Sequence, residues 1–250
     1  MVSQNGESGR RNRPDAPSPE DLASAEAALS QEYLIQFREA LDLGRSGDLE
    51  GAAGVARKAI KLAEATGGIL EASVILTFLP ALFPASSPQE ALKLAYRVVE
   101  LTDGRPQCEY LISSARLFAT QALIRADQKD AALFEAEACV LAGKASKTHC
   151  RWLATAWRYY GMLLALAGRM PEALLALSNS IDLAKSKPTD DPLALARSYD
   201  AMGRSLLEMG EKRKGLSSLH DAVDEFRKHG VRGAKEAEIV NGFINAASKD

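Results

Sequence analysis

Apolar and polar residues along this chain follow a helical rhythm that breaks at regular intervals. The clearest passage is WRYYGMLLALAGRMPEALLALSNSIDLA, Trp157 to Ala184. Its Leu and Ala content predicts helix, yet it carries Gly161 inside the helical pattern and a second glycine at Gly168. A glycine in a helix interior costs about 1 kcal/mol relative to alanine, so both positions call for a compensating reason. Forty-two residues further on, YDAMGRSLLEMGEKRKGLSSLHDAV repeats the pattern. Gly161 maps to Gly203, Gly168 to Gly210, Trp157 to Tyr199, Leu164 to Leu206 and Leu177 to Leu219. Self-similarity at a fixed period marks a repeat architecture.

Fainter copies precede these two. A small residue opens the second helix of each unit at Ala52, Ala91, Ala131, Ala173 and Gly215, at intervals of 39, 40, 42 and 42. Around them, SGDLEGAAGVARKAI, SSPQEALKLAYRVV, ADQKDAALFEAEAC, AGRMPEALLALSNS and MGEKRKGLSSLHDA each show a break, a few polar residues and a small-plus-apolar helical stripe. This predicts paired antiparallel helices. Gly161 and Gly203 would sit where the two helices cross, with Ala40 and Ala119 in the same place in two weaker copies. Gly47, Gly168 and Gly210 would end the first helices in left-handed conformations, and Pro171 would open a second helix. Ten helices in five hairpins are expected from about 19 to 229, and a last helix over about 233–247. Its Ala234, Ala237, Ile239, Val240, Phe243 and Ile244 would cover the open end, as terminal units must. Residues 1–18 read as a disordered polar tail and 19–250 as the helical repeat domain.

The spacing W-x-x-Y-G-x-x-L-x-x-x-G-x-x-x-x-A-x-x-x-L from Trp157 to Leu177 resembles the tetratricopeptide repeat. Here Tyr160 precedes the glycine, Leu164 stands where the family has Tyr, Ser180 replaces its second Ala, and the closing Pro is displaced to Pro188. The resemblance spans about Tyr33 to Gly230. It implies an all-α, right-handed superhelix (an α-solenoid) of about five hairpins plus a C-terminal capping helix. Tetratricopeptide units usually run 34 residues. Units of about 40 resemble the longer branch found in maltose-activator-like bacterial regulators and kinesin-light-chain-like adaptors. DEFRKHGVRGAKEAEIV, Asp224 to Val240, resembles the way those bacterial arrays end. The NTPase domain and helix-turn-helix of such regulators have no counterpart in this sequence, so their function does not carry over whole.

Composition narrows the choice. Of 250 residues, 46% are hydrophobic and 26% charged, an ordinary balance for a domain with a sizeable core. The net charge of −2 argues against a globally basic nucleic-acid binder. It leaves only the tail arginines Arg10, Arg11 and Arg13 and the cluster Lys212-Arg213-Lys214 for such a role. The N-terminal stretch lacks the apolar region of a secretory signal. ASVILTFLPALFPA, Ala72 to Ala85, is too short to span a membrane and is interrupted by Pro80 and Pro84. It reads as a buried helix ending near Pro84. Cys108, Cys139 and Cys150 are odd in number and show no CxxC spacing, as reduced thiols of a cytoplasmic protein do. His149 and Cys150, adjacent on a helix, point about 100° apart and are poorly placed to cooperate. AGKAS, Ala142 to Ser146, lacks the other residues of a phosphate-binding loop. His220 and Asp224 at i, i+4 read as a surface ion pair. Nothing here points to an enzyme, a metal or a cofactor.

A curved array offers an inner face lined chiefly by its first helices, and the resemblance implies a protein or peptide partner there. Taking Trp157, Tyr160, Gly161 and Leu164 as packed, the next stripe holds Arg158, Met162 and Ala165. The matching residues are Asp200, Arg204 and Leu207 in the next unit, and Arg116, Thr120 and Leu123 in the preceding one. Arg204 has Asp200 at i−4 and Glu208 at i+4, so its own helix can satisfy it. Arg116 and Arg158 have no acidic residue three or four positions away. Their charges are left for solvent, another element or a ligand. Arg116, Arg158 and Arg197 are therefore candidates to hold an acidic peptide or a carboxylate, with Thr120, Met162 and Arg204 beside them. The chaperone-tail clamp of some tetratricopeptide proteins uses Lys and Asn on this face. The stripe has no Asn, so no such clamp is predicted. The chief alternative is a sensor of a small molecule or signalling peptide, with Met162, Tyr159, Trp152 and Trp157 around a pocket.

Overall fold

The computed structural model describes residues 35–248 apart from 106, 147–150, 188 and 190. The expected tail and the start of the first helix lie outside these residues, as do His149 and Cys150. The described residues are helical, with no strand. They form α1 (35–46), α2 (Leu49–Ala63), α3 (Gly68–Leu82), α4 (Pro88–Thr102), α5 (Glu109–Arg125) and α6 (Lys129–Ala145). α7 (Leu153–Leu166), α8 (Met170–Ser186), α9 (Ala194–Glu208), α10 (Lys212–Arg227) and α11 (Val231–Ala247) complete the array. Odd- and even-numbered helices pair as five antiparallel hairpins, and α11 packs against α10 at the end. This is the predicted all-α solenoid. α3 also lies against α5, and α7 against α9, so the first helices of these neighbouring units share a side.

One turn geometry closes four of the five hairpins. Gly47, Asp127, Gly168 and Gly210 have φ of 89°, 55°, 76° and 80°. The next residue in each case donates its N–H back to Leu43, Leu123, Leu164 or Leu206, always at 2.9 Å. These bonds satisfy carbonyls that the helix end leaves open. The second hairpin closes differently: Ser87 Oγ accepts from the Glu90 N–H at 3.1 Å, and Pro88 follows in the first turn of α4.

The residues preceding the second helices are Asp48, Ser87, Gln128, Arg169 and Glu211, so the true intervals are 39, 41, 41 and 42. The third unit thus sits one residue away from its sequence-based register. Ala132, not Ala131, is the buried small residue of α6. Counted from the turn, Thr120 rather than Ala119 takes the place of Gly161.

The crossing glycines answer the question the sequence raised. A Cβ on Gly161 would stand 2.7 Å from Leu177 Cγ and 3.1 Å from the Ala173 carbonyl oxygen. On Gly203 it would stand 2.7 Å from Leu219 Cγ and 2.9 Å from the Gly215 oxygen. Both hairpins therefore pack backbone against backbone, and the burial of Leu177 and Leu219 over the glycines offsets the propensity cost.

The core runs as a chain of clusters rather than one nucleus. One gathers α1 to α5 around Phe78, Leu79 and Leu82, and another joins α9, α10 and α11 around Leu219, Phe226 and Val240. Smaller ones bridge α5 to α8. α3 contains the apolar run from Ala72 and keeps Pro80 inside its last turn. Polar bonds stitch neighbouring helices: Ser113 Oγ donates to the Cys139 carbonyl while Cys139 Sγ donates to that of Ser113, each at 3.0 Å. Ser180 Oγ of α8 donates to the Ala154 carbonyl of α7 at 2.6 Å and meets Ser198 Oγ of α9 at 2.7 Å.

Candidate functional site

The unit register fixes which residues share the inner face. Successive first helices place Ser73, Ser114, Thr155 and Arg197 at one level, and Leu76, Leu117, Arg158 and Asp200 at the next. Thr77, Phe118, Tyr159 and Ala201 follow, then Pro80, Gln121, Met162 and Arg204. The face therefore changes character along the array. Over α3 and α5 it is apolar with hydroxyls. Over α7 and α9 it carries arginine and carboxylate.

Two grooves follow this change. The first, of about 550 Å³, runs over α3, α5 and the start of α7. Leu76, Pro80, Tyr110, Leu117, Phe118 and Trp152 supply half of the residues in its wall. Trp152 is held by its indole N–H, which donates to Ser113 Oγ at 3.1 Å. The second, of about 400 Å³, lies between α7, α9 and α11. Arg158, Met162, Arg197 and Arg204 all line it, together with Asp200 and Glu236. Asp191 lines the first groove and holds Arg197 of the second at 2.8 Å, so this ion pair stands where the two meet.

Each candidate arginine has its own environment. Arg204 Nε donates to Asp200 at 2.7 Å, the i−4 partner that the sequence offered, and its guanidinium lies 4.4 Å from the centre of the Phe243 ring. Arg197 bonds Asp191 and reaches Glu236 of α11 at 3.6 Å. Arg158 is only 8% exposed. Its guanidinium lies 4.6 Å from the centre of the Tyr159 ring, and Nη1 approaches Met162 Sδ at 3.9 Å.

Arg116 and Thr120 lie apart from this group. Arg116 Nη1 donates to Glu135 of α6 at 2.8 Å, and the Glu135 side chain is 7% exposed. Tyr96 of α4 donates to the same carboxylate at 3.2 Å. Burial, with the Glu135 charge beside it, pushes the Tyr96 phenol above its ordinary value. Thr120 is fully buried, with its hydroxyl donating to the Arg116 carbonyl at 2.8 Å. The one-residue change of register explains both placements. It turns Arg116 by about 100°, from the inner stripe to the interface with α6. Of the three fates open to the Arg116 charge, the structure gives it another element.

The aromatic residues considered for a ligand pocket do not converge. Trp152 lines the first groove and Met162 the second, while Trp157 packs against Tyr160 and under Lys144. Asp224 pairs with Arg227 rather than His220, and His220 is exposed. Among the described residues, no three His, Cys, Asp or Glu side chains gather as metal ligands, and no helix is long and apolar enough to cross a membrane. The Phe226, Ile239, Val240 and Glu236 contributions to the second groove were missed from sequence. The sequence pattern gives α11 only the role of covering the open end, and the i, i+3 spacing that puts Glu236 and Ile239 on one face is the available signal.

No family model matches the chain, and no curated protein matches it. Solved structures do. The nearly identical TPR-like repeats of a protein named as a kinesin light chain of Podosopora anserina align with a TM-score of 0.61 at 14% identity, over 80% of this chain and 97% of that one. A variant of the same repeats gives 0.62 at 15% identity, over 79% and 96%. A structure of MamA protein gives 0.53 at 16% identity, over 80% and 94%. At such identities the likeness is one of fold. With the repeated hairpins, the shared turn and the capped end, it identifies the architecture of this chain as that of the tetratricopeptide-like α-solenoids.

Proposed function

We propose that the chain is a non-catalytic protein-interaction module that holds a partner segment along its concave face. The observation that carries this reading is the first groove. It is open, wider than a single side chain, and walled by Leu76, Pro80, Tyr110, Leu117, Phe118 and Trp152 where a solvated surface would carry charge. Side chains of this kind anchor partner segments, because they bury much apolar area with few rotatable bonds. The second groove extends the face and, through Arg158, supplies a cationic group for an acidic portion of the partner.

The test compares one variant on each side of the array. Ser114→Arg places a long charged side chain in the first groove, from a half-buried position on α5. Leu175→Arg changes a residue of α8 that is 67% exposed and lies outside both grooves. With both variants folded by circular dichroism, affinity capture from native lysate should lose the wild-type partner with Ser114→Arg and keep it with Leu175→Arg. The opposite result would overturn the reading.

A further inference from the structure

The second groove holds three arginines, and two are neutralised. Arg204 has Asp200, and Arg197 has Asp191 and Glu236. Arg158 has no carboxylate within ion-pairing reach among the described residues. It is 8% exposed, and its Nε is buried without a hydrogen-bond partner. The thioether of Met162 and the face of Tyr159 are weak substitutes for the acceptors that a guanidinium loses on leaving water. Burial without such acceptors is unfavourable, and the groove that Arg158 lines is open to bring one in.

We propose that this groove is a carboxylate subsite, in which Arg158 receives the side chain of one Asp or Glu of the partner segment. The proposal rests on the concave-face reading and names the chemistry of its arginine end. The three arginines face three carboxylates in all, but two of these, Asp191 and Glu236, fall to Arg197 and the third, Asp200, to Arg204. Arg158 is the one arginine of the groove that none of them reaches among the described residues, so its position leaves room for a single negative group. Guanidinium and carboxylate match as a planar, two-pronged pair. Met162, Phe226, Ile239 and Val240 line the same groove, so apolar residues flank the acid. α11 already illustrates the geometry: it lays Glu236 against Arg197 and the Phe243 ring against Arg204. That precedent favours an acidic side chain over a chain-terminal carboxylate. Arg116 has no part in the subsite.

The test uses the full chain labelled with 15N. The arginine Nε–Hε resonances are followed by NMR, and that of Arg158 is assigned by its loss in Arg158→Met. Three capped probes are titrated: N-acetyl-glutamate α-amide, N-acetyl-glutamine α-amide and N-acetyl-alanine with a free carboxylate. The expected result is a saturable shift of the Arg158 signal with the glutamate probe and none with the neutral glutamine probe. Binding should weaken at least about tenfold in Arg158→Lys, which keeps the charge and loses the fork. Arg158→Met should melt no lower than wild type, since it removes a buried charge that the fold does not satisfy. Absence of any shift up to the solubility limit would overturn the proposal. So would equal shifts at Arg197 and Arg204, a stronger response to N-acetyl-alanine, or a marked loss of stability in Arg158→Met. Any of these would leave the comparison of Ser114→Arg with Leu175→Arg intact, so the two readings fail separately.

Discussion

A methyl group at position 203 would meet Leu219 and the Gly215 backbone at under 3 Å, whereas one at position 54 would meet nothing within 4 Å. Both glycines lie inside helices, α9 and α2. Helix propensity alone would favour alanine at each by about 1 kcal/mol, and local space decides the sign. Gly203→Ala is expected to destabilise the chain by about 1–3 kcal/mol through overpacking, and Gly54→Ala to stabilise it by about 0.5–1 kcal/mol. Urea unfolding of the two variants checks both. The crossing was legible in the sequence because glycine marks it twice at the same spacing. The third unit hid its register because it uses Asp127 in the left-handed turn position and Thr120 at the crossing. Aspartate tolerates that backbone region through its short polar side chain, but it gives a reader no signal comparable to glycine. A search for small residues then settles on Ala119 and Ala131, each one position early. On a helix that slip changes the face, and so the partner assigned to Arg116.

At the scale of the helices, ion pairs between elements do what the sequence could not show. Glu135 of α6 joins Arg116 of α5 and Tyr96 of α4. Glu135→Ala would leave the partly buried Arg116 guanidinium without its carboxylate. The expected cost is about 3–5 kcal/mol, and Arg116→Met with Glu135→Leu should recover most of it; thermal or urea melts of the single and double variants measure both. Glu90 in the first turn of α4 bonds Arg57 of α2 through both carboxylate oxygens, at 2.8 and 3.1 Å. The bond to Arg57 holds the Glu90 carboxyl below its ordinary value. The stabilisation is thus fully present above the ordinary glutamate range. It is lost as the pH falls through the depressed value of the folded state. Both groups are partly exposed, so solvent screening keeps the effect small. Acid titration should show wild type losing more stability than Glu90→Gln. Neither pair is readable in the sequence, because their members lie 19 and 33 residues apart: Arg116 and Glu135 meet only when their hairpin closes, and Arg57 and Glu90 only when two hairpins stack.

For the whole molecule, stability is distributed along a row of neighbours. Hairpin contacts and contacts between adjacent units account for the packing, and such arrays behave as linked units with separate local stabilities. The last joint is a close one. Gly233 of α11 lies so near α10 that a Cβ there would stand 2.0 Å from the Phe226 carbonyl oxygen. Gly233→Ala is expected to loosen α11. Hydrogen exchange should rise over α11 and α10 while α3 to α6 keep their protection. The Glu236–Arg197 and Phe243–Arg204 contacts depend on the same docking, so the arginine end of the inner face should change with it.

The adjacency of α3 to α5 and of α7 to α9 has a mechanical consequence. A body joined only link to link bends as a leaf spring does. Slight tilts at each joint add along its length, while every hydrogen bond within a helix stays made. The distance between the first and last hairpins can therefore change through small tilts at each joint, without any rod unwinding.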